Sequence, residues 1–122
     1  MKKYYLDTAL DLAEQSDHSF RHGAVVVKDG KLVSTGYNKY KANQTNIKTR
    51  NMRNSMHAEE CALRQLGSKK LCENGIMYVA RIASYGPANS KPCDRCQKIM
   101  KAFGISKAIY TTETGYECIV IS

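Results

Sequence analysis

GAVVVKDGKLVSTGYN, residues 23–38, is the stretch of sequence that decides the fold. A continuous apolar run is followed by the dipeptide Asp29-Gly30 and then by a second segment of strand-like composition. An Asp-Gly pair between two such segments is a strong hairpin signal, because glycine supplies the positive φ that a two-residue turn requires. The sequence therefore predicts two antiparallel strands, near residues 23–28 and 31–36.

Helical patterns lie on both sides of this hairpin. Residues 4–15 repeat apolar side chains at i, i+3, i+4 and i+7, which is typical of an amphipathic helix lying on a core. A second helix is predicted over about residues 56–66, with Asn54 or Ser55 as its N-cap. The residues expected to face the core are Leu6, Ala9, Leu10 and Ala13 in the first helix and Ala58, Ala62 and Leu66 in the second.

The C-terminal half begins with IMYVARIA, residues 76–83, which has the composition of a buried strand. A loop rich in Gly, Pro, Asn and Ser follows over residues 84–92. A third helix is predicted to start near Cys93, just after a proline, because its apolar residues again repeat at i, i+3, i+4 and i+7. Gly104 is the predicted C-cap of this helix.

Two further strands are predicted at the end of the chain, KAIYTT over residues 107–112 and YECIVIS over residues 116–122. Only a few residues separate them, and a parallel pair needs a crossover of about a dozen residues or more, so they are expected to pair antiparallel. The predicted fold class is α/β, a three-layer α-β-α sandwich whose five-stranded mixed sheet has helices on both faces.

The size and composition of the chain set further limits. At 122 residues and 43% hydrophobic content, the chain suffices for one compact core, so a single domain over residues 1–122 is expected. No apolar run approaches the roughly 18 residues of a membrane span, and Asp7, Asp11 and Glu14 interrupt the N-terminal stretch where a signal peptide would be apolar. We therefore expect a soluble, cytoplasmic protein with no membrane partner.

The charge of the chain is strongly positive and unevenly placed. Nineteen Lys and Arg against eleven Asp and Glu give a net charge of +8. No acidic residue occurs from Gly30 to Ala58, a segment that contains Lys31, Lys39, Lys41, Lys48, Arg50 and Arg53. This field favours an anionic partner, either a nucleotide phosphate or a polynucleotide, although a solvated basic loop without a ligand explains the charge equally well.

The cysteines point to a metal rather than to disulfides. Their number is odd, five, and Cys93 and Cys96 form a C-x-x-C pair in the first turn of the third predicted helix. His57 lies at the start of the second. If the two helix starts face each other, these three side chains meet around one Zn²⁺ and leave a position for water, which is the catalytic pattern. The carboxylate that would move protons is Glu59 or Glu60, and spacing alone does not choose between them.

Two readings without catalysis stay open on the residues alone. Cys96 also lies on an apolar helix face and is compatible with a plain core position. His57 and Cys61 are i, i+4 on one helix, so Cys61 would complete a closed Cys₃His structural zinc in a module that binds nucleic acid. The remaining cysteines, Cys72 and Cys118, are expected to be free core thiols.

HAEECAL, residues 57–63, and KPCDRC, residues 91–96, together resemble the H-x-E … P-C-x-x-C signature of the zinc-dependent cytidine and deoxycytidylate deaminase superfamily. The hairpin quoted above, with the asparagine that ends it, is similar to the first hairpin of that family. The resemblance implies a cytidine deaminase-like fold and a Zn²⁺ cofactor held by His57, Cys93 and Cys96. It also implies that Glu59 is the catalytic proton shuttle and that Glu60 is an ordinary helix residue.

The same resemblance implies how a substrate is held. Asn38 corresponds to the asparagine that contacts the sugar or base, and the backbone N–H of Ala58 corresponds to the donor that faces the pyrimidine carbonyl. Ala24 and Val25 correspond to residues that line the base pocket. The implied reaction is hydrolytic deamination of a cytosine-containing nucleoside or nucleotide, cytidine, deoxycytidine or a monophosphate, to the uracil product and ammonia.

The features that bear on substrate class conflict. The predicted antiparallel last pair of strands resembles the branch that contains free cytidine deaminases and some toxin-like polynucleotide deaminases. A histidine ligand, by contrast, is more typical of the deoxycytidylate, tRNA-adenosine and polynucleotide-editing relatives. The basic loop from Lys39 to Arg53 would suit a 5′-phosphate. The alternative is a base in single-stranded DNA or RNA, with Tyr37, Tyr40 and Tyr85 as stacking surfaces. Family members are often dimers or tetramers, so a homo-oligomer is compatible with the resemblance.

Overall fold

A computed structural model describes residues 3–16, 21–40 and 55–121, with the backbone alone at residues 39, 40, 55 and 56. The predicted basic loop from Lys39 to Arg53 lies almost entirely outside these residues. The elements in chain order are α1 Lys3–Glu14, β1 Arg21–Lys28, β2 Lys31–Tyr37, β3 Lys39–Tyr40, β4 Ser55–Met56, α2 Ala58–Leu66, a 3₁₀ turn Lys69–Leu71, β5 Ile76–Ala83, β6 Gly86–Ala88, α3 Asp94–Ala102, β7 Lys107–Thr111 and β8 Tyr116–Val120.

The predicted hairpin is present. β1 and β2 pair antiparallel and are joined by a two-residue turn in which Asp29 has φ 53° and Gly30 has φ 75°. Positive φ at both central residues is the geometry whose twist matches that of the flanking strands. The Asp-Gly signal therefore predicted the connection, whereas the shift in register between Val26 and Val27 was not predicted.

The main sheet is mixed, with the strand order β2-β1-β5-β7-β8. β5 and β7 pair parallel, and the other neighbours pair antiparallel, including β7 with β8 as predicted. The sheet has six strands rather than the five predicted, because β6 folds back onto β5. β7 pairs with residues 76–79 of β5 and β6 pairs with residues 81–83, so β6 occupies the edge of β5 beyond the end of β7.

Helices cover both faces of this sheet, which confirms the three-layer architecture. α1 packs on one face through Tyr5 and Leu6, against a cluster formed by Val25, Val27, Tyr78 and Ile109. α2 and α3 pack on the other face, where the larger core includes Ala24, Val26, Ala62, Leu63, Val79, Met100 and Ala108. None of the helices in the described ranges has the length and apolar content needed to cross a bilayer.

Two strand glycines let the helices approach the sheet closely. A Cβ at Gly23 of β1 would clash with the carbonyl oxygen of Ala9 in α1. A Cβ at Gly36 of β2 would lie 2.6 Å from the backbone nitrogen of Ala62 and 2.8 Å from the carbonyl oxygen of Ala58, both in α2. Real Cβ atoms do not make contacts this short, so a side chain at either glycine would push the helix away. Each helix therefore packs directly against the backbone of the strand.

The start of α2 differs from the prediction. The N-cap is His57, with φ −68° and ψ 150° and no side-chain capping bond, rather than Asn54 or Ser55. Ser55 and Met56 instead pair antiparallel with Lys39 and Tyr40 as the ribbon β3-β4. Local capping preference favours Ser55 as the N-cap of the helix, but Ser55 pairs with a distant segment of the chain instead.

Of the two thiols predicted to lie in the core, only one does. Cys72 is buried, whereas Cys118 is exposed. Cys118 is the central residue of β8, and β8 is the last strand of the sheet. The prediction for Cys118 was wrong because an apolar alternation does not reveal that a strand stands at an edge, where one face is left uncovered.

Candidate metal centre

The starts of α2 and α3 meet on one side of the sheet. His57 is the N-cap of α2, Cys93 is the N-cap of α3, and Cys96 lies in the first turn of α3. The ligand atoms of these three side chains all lie within 4.8 Å of one another. The backbone N–H of Cys96 also donates to the sulfur of Cys93 at 3.5 Å, so the two thiols are held on the same side of the helix start.

These distances fit a tetrahedral metal. His57 Nδ1 lies 3.3 Å from Cys96 Sγ and 3.9 Å from Cys93 Sγ. With zinc–sulfur bonds of about 2.3 Å and zinc–nitrogen bonds of about 2.0 Å, neighbouring ligands of a tetrahedral site lie roughly 3.5 to 3.8 Å apart. One imidazole and two thiols are the donors that zinc prefers. The predicted ligand set therefore converges on a point where one zinc ion fits.

Cys61 does not complete a closed site. Within the described ranges, the cluster consists of the one histidine and two cysteines and does not include Cys61. The Cys61 sulfur instead accepts a hydrogen bond at 3.3 Å from the side chain of Gln65, one turn further along α2. The arrangement thus lacks the fourth side chain on which the structural Cys₃His alternative depends.

The approach to Cys93 is held by buried hydrogen bonds. Ser90, only 2% exposed, donates from its hydroxyl to the Val79 carbonyl of β5 at 3.0 Å and accepts from the Thr111 N–H of β7 at 2.8 Å. The Thr111 hydroxyl donates to the Ala88 carbonyl of β6 at 2.8 Å. The segment from β6 to Cys93 is therefore attached to β5 and β7 of the sheet.

Glu59 lies beside the cluster and is 5% exposed. Burial raises the pKa of the Glu59 carboxyl to about 7, and the nearby charge of Glu60 acts in the same direction, against hydrogen bonds from its own backbone and from the Cys96 thiol. Burial also raises the pKa of the Cys96 thiol well above its ordinary value. A thiolate at so buried a position requires a cation beside it, which is what a bound divalent metal supplies.

Glu60 has a structural role that the sequence analysis did not predict. Rather than being an ordinary helix residue, it is buried and forms ion pairs with Arg64 at 2.7 Å and with Arg95 at 3.0 Å. Burial opposes its charge, but the two guanidinium groups outweigh it and hold the pKa of Glu60 below its usual value. The i, i+4 spacing of Glu60 and Arg64 was visible in the sequence, whereas its contact with Arg95 on another helix was not.

The residues predicted to contact substrate divide between the two faces of the sheet. Asn38 is buried at the end of β2, where its side-chain oxygen accepts from the His22 N–H at 2.8 Å. Ala58, the first residue of α2, and Ala24 of β1 share one core cluster, on the face that carries the metal ligands. Val25 packs in the cluster under α1 instead, because successive strand residues point to opposite faces.

The structure describes the side chains of two of the three tyrosines predicted as stacking surfaces. Tyr37 is half-buried at the end of β2, and Tyr85 is 66% exposed in the turn between β5 and β6. The side chain of Tyr40 lies outside the described residues, as does most of the basic loop. Of the two described rings, that of Tyr37 therefore ends the edge strand β2 and that of Tyr85 follows β5.

Comparison with known proteins identifies a family that this chain matches. Residues 1–112 match the family model described as the cytidine and deoxycytidylate deaminase zinc-binding region. A diaminohydroxyphosphoribosylamino-pyrimidine deaminase from Schizosaccharomyces pombe is 38% identical over an alignment 88 residues long, which covers 64% of this chain and 19% of that protein. The chain thus spans about a fifth of the length of this relative.

Solved structures share the fold. A cytidine deaminase from Burkholderia pseudomallei superposes with a TM-score of 0.74 at 17% identity, over 99% of this chain and 93% of that one. A dCMP deaminase from the cyanophage S-TIM5, in complex with dCMP and dUMP, superposes with a TM-score of 0.71 at 22% identity, over 90% and 82% of the two chains. At identities this low, the superpositions establish that this chain and the two deaminases share the three-layer fold.

Proposed function

The chain belongs to the cytidine and deoxycytidylate deaminase zinc-binding family, and we propose that it deaminates a cytosine-containing nucleoside or nucleotide by hydrolysis. The observation that carries this proposal is the convergence of His57, Cys93 and Cys96, with a buried carboxylate, Glu59, beside them. Three zinc ligands from protein and a neighbouring acid–base group are the parts that hydrolytic deamination requires.

His57, Cys93 and Cys96 would hold the zinc, which when bound supplies a water molecule acidified to a pKa of about 7. Glu59 then takes up the proton that the water loses and delivers it to the ring nitrogen of the base. Once the water oxygen has bonded to the amino-bearing ring carbon, the same carboxyl group would take the remaining proton from that oxygen and pass it to the amino group, so that the carbon–nitrogen bond breaks and ammonia leaves. Glu59 is 5% exposed, so these transfers would occur away from bulk water. Burial would limit the loss of the proton from the carboxyl group to solvent.

The pyrimidine would lie against the starts of β1 and α2. In this proposal the Ala58 N–H, which as a first-turn amide has no acceptor within its own helix, donates to the base carbonyl. The small side chain of Ala24 leaves room for the ring, and the amide of Asn38, oriented by the His22 N–H, contacts the sugar or base. The basic segment from Lys39 to Arg53 would favour a 5′-phosphate, so the nucleoside monophosphates are included among the substrates.

A second candidate is a pyrimidine that carries an amino group and a phosphoribosyl substituent. The observation that favours it is the 38% identity, over 88 residues, to the diaminohydroxyphosphoribosylamino-pyrimidine deaminase. Hydrolysis of a ring amidine would use the same zinc ligands and the same proton shuttle, so the two candidates differ only in how the ring substituents are held.

Ammonia release from a panel of compounds tests the proposal. The zinc-loaded chain is given cytidine, deoxycytidine, their monophosphates, free cytosine, adenosine, a phosphoribosylaminopyrimidine and a short single-stranded DNA. We expect turnover of a cytosine nucleoside or nucleotide, its loss in Glu59→Gln, and its retention in Glu73→Gln, which alters an exposed glutamate. Turnover of the phosphoribosylaminopyrimidine alone would establish the second candidate instead, and turnover of none of the compounds would contradict both.

The polynucleotide alternative has its own test. A protein that grips a strand through phosphate contacts loses affinity steeply as salt rises. If the chain shows no affinity for single-stranded DNA or RNA even at low salt, its positive charge serves another purpose and this alternative is removed.

A further inference from the structure

The metal centre is assembled from two helices, and their relative placement sets its geometry. α2 supplies the histidine ligand, and α3 supplies both cysteines. A displacement of either helix start would change the nitrogen–sulfur distances while leaving each helix intact. A contact that joins the two helices near the ligands therefore bears directly on the site.

Glu60 and Arg95 make such a contact. The Oε1 atom of Glu60 lies 3.0 Å from Nη2 of Arg95, while its Oε2 atom lies 2.7 Å from Nε of Arg64, so each carboxylate oxygen has its own arginine. Glu60 lies one helical turn after His57. Arg95 lies between the two cysteine ligands in sequence. The bridge therefore joins the first turns of the same two helices that deliver the zinc ligands.

The burial of this carboxylate gives the bridge its strength. The side chain of Glu60 is 8% exposed, whereas those of Arg64 and Arg95 are 59% and 58% exposed. Ion pairs between exposed groups contribute little, but removal of a partner from a buried charge is strongly destabilising. The buried charge of Glu60 is therefore most stable when both arginines are in place. This favours the arrangement in which α3 lies against α2.

We propose that Glu60 and Arg95 are a positioning pair that holds the histidine-bearing and cysteine-bearing halves of the metal centre at zinc-binding distance. The proposal rests on the proposed function, because it assigns a role within that same site. Neither residue is a ligand or a proton carrier in it. They act by fixing the positions of the ligand atoms before zinc binds. Their effect is therefore measured as zinc affinity rather than as turnover.

The chain contains a matched control. Arg64 and Arg95 are the same residue type, are almost equally exposed and bind the same carboxylate, but Arg64 belongs to α2 itself and Arg95 to α3. Loss of Arg64 removes charge compensation from Glu60 without disconnecting the helices. Loss of Arg95 removes the same compensation and also the ion pair that joins the two helices.

Zinc affinity is measured on the full chain by competition with a chromophoric chelator for wild type, Arg95→Met, Arg64→Met and Glu60→Gln. Outer partners of metal ligands typically contribute roughly 10- to 100-fold in affinity. We expect losses of that size in Arg95→Met and Glu60→Gln and a loss below about 3-fold in Arg64→Met. Cobalt(II) spectra should shift in Arg95→Met, since the ligand-field bands report ligand geometry, and Arg95→Lys should recover part of the zinc affinity.

Three results would overturn the proposal. Equal losses in Arg64→Met and Arg95→Met would mean that only the charge of Glu60 matters. Wild-type affinity in Glu60→Gln beside a loss in Arg95→Met would mean that Arg95 acts as an isolated cation near the thiolates. Unchanged affinity in all variants would mean that the bridge does not position the ligands. If Arg95→Met fails to fold by circular dichroism, the same comparison is made with Arg95→Lys and Arg64→Lys.

These measurements need no substrate, so they separate this proposal from the proposed function. Zinc affinities that follow the expected order, with no turnover in the ammonia panel, would support the positioning pair and contradict the deaminase assignment. Turnover in the panel, with zinc affinities that are equal in the Arg95 and Arg64 variants, would support the deaminase assignment and contradict the positioning pair.

Discussion

Replacement of Gly36 by alanine adds one methyl group at the point where β2 touches α2. The new Cβ would lie 2.6 Å from the Ala62 nitrogen, 2.8 Å from the Ala58 oxygen and 3.0 Å from the Cys61 Cβ. Two of these are backbone atoms, so no flexible side chain can move aside. Gly36 has no positive φ, and alanine can therefore adopt its backbone conformation; the cost comes from contact alone.

The displacement can be estimated from those distances. Ordinary contact begins at 3.4 Å, so α2 must retreat from the sheet by roughly 0.8 Å. Overpacking of this kind typically costs about 1–3 kcal/mol in the free energy of unfolding. The helix carries His57 with it, and zinc sites hold their bond lengths to within about 0.2 Å. Gly36→Ala should therefore lower both the stability of the zinc-free chain and its affinity for zinc.

Urea unfolding of the zinc-free chain and chelator competition measure the two effects. Gly115→Ala is the control, because a Cβ at Gly115 meets nothing within 4 Å and that residue also has no positive φ. Equal unfolding midpoints in the two variants, with zinc affinity unchanged in Gly36→Ala, would refute the argument that bare backbone at β2 sets the position of α2.

Further predictions concern single side chains of the site. Glu59→Gln should reduce deamination by about 10²- to 10⁴-fold, since it removes the general acid–base group, while zinc content by atomic absorption stays at the wild-type level. The folded-state pKa of Glu60 lies below 4.5, so its contribution to stability is present above about pH 4.5 and is lost as pH falls through the lower value. Glu60→Gln should therefore flatten the acid side of the stability profile in urea unfolding at successive pH values; an unchanged acid slope would argue against the ion pairs. Cys93→Ser should release zinc to a chelator, whereas Cys61→Ser should retain it, and the reverse result would restore the structural-zinc reading. Ser90→Ala leaves buried partners of its hydroxyl unsatisfied and should cost about 1–3 kcal/mol by urea unfolding.

The features that the sequence predicted are those encoded locally. The two-residue turn at Asp29 and Gly30 and the apolar repeats of the helices depend on neighbours within a few residues, and they appear where expected. The metal ligands belong to the same class, because Cys93 and Cys96 share one helical turn and His57 heads a helix that patterning already placed. Only the meeting of the two helix starts needed the folded chain.

The features that were missed depend on distant partners. β6 consists of Gly, Pro and Ala, which locally indicate a loop, and it becomes a strand only by pairing with β5. Ser55 is taken from its predicted capping role by pairing with Tyr40. The resemblance implied that Glu60 is an ordinary helix residue, and its ion pair with Arg95 was not predicted because Arg95 lies on α3, far away in sequence. In each case a long-range contact outweighed a local preference.

The attachment of Ser90 and Thr111 to the sheet has a consequence for how this scaffold can change. These bonds hold the cysteine-bearing segment independently of the turn at Ser84 and Tyr85, which projects beyond the last pair of β5 and β6. Insertions in that turn would lengthen a solvent-facing arm without shifting the sulfur atoms. The turn is accordingly the place where new recognition elements can be grafted, by evolution or by an engineer, while the chemistry beneath is left intact.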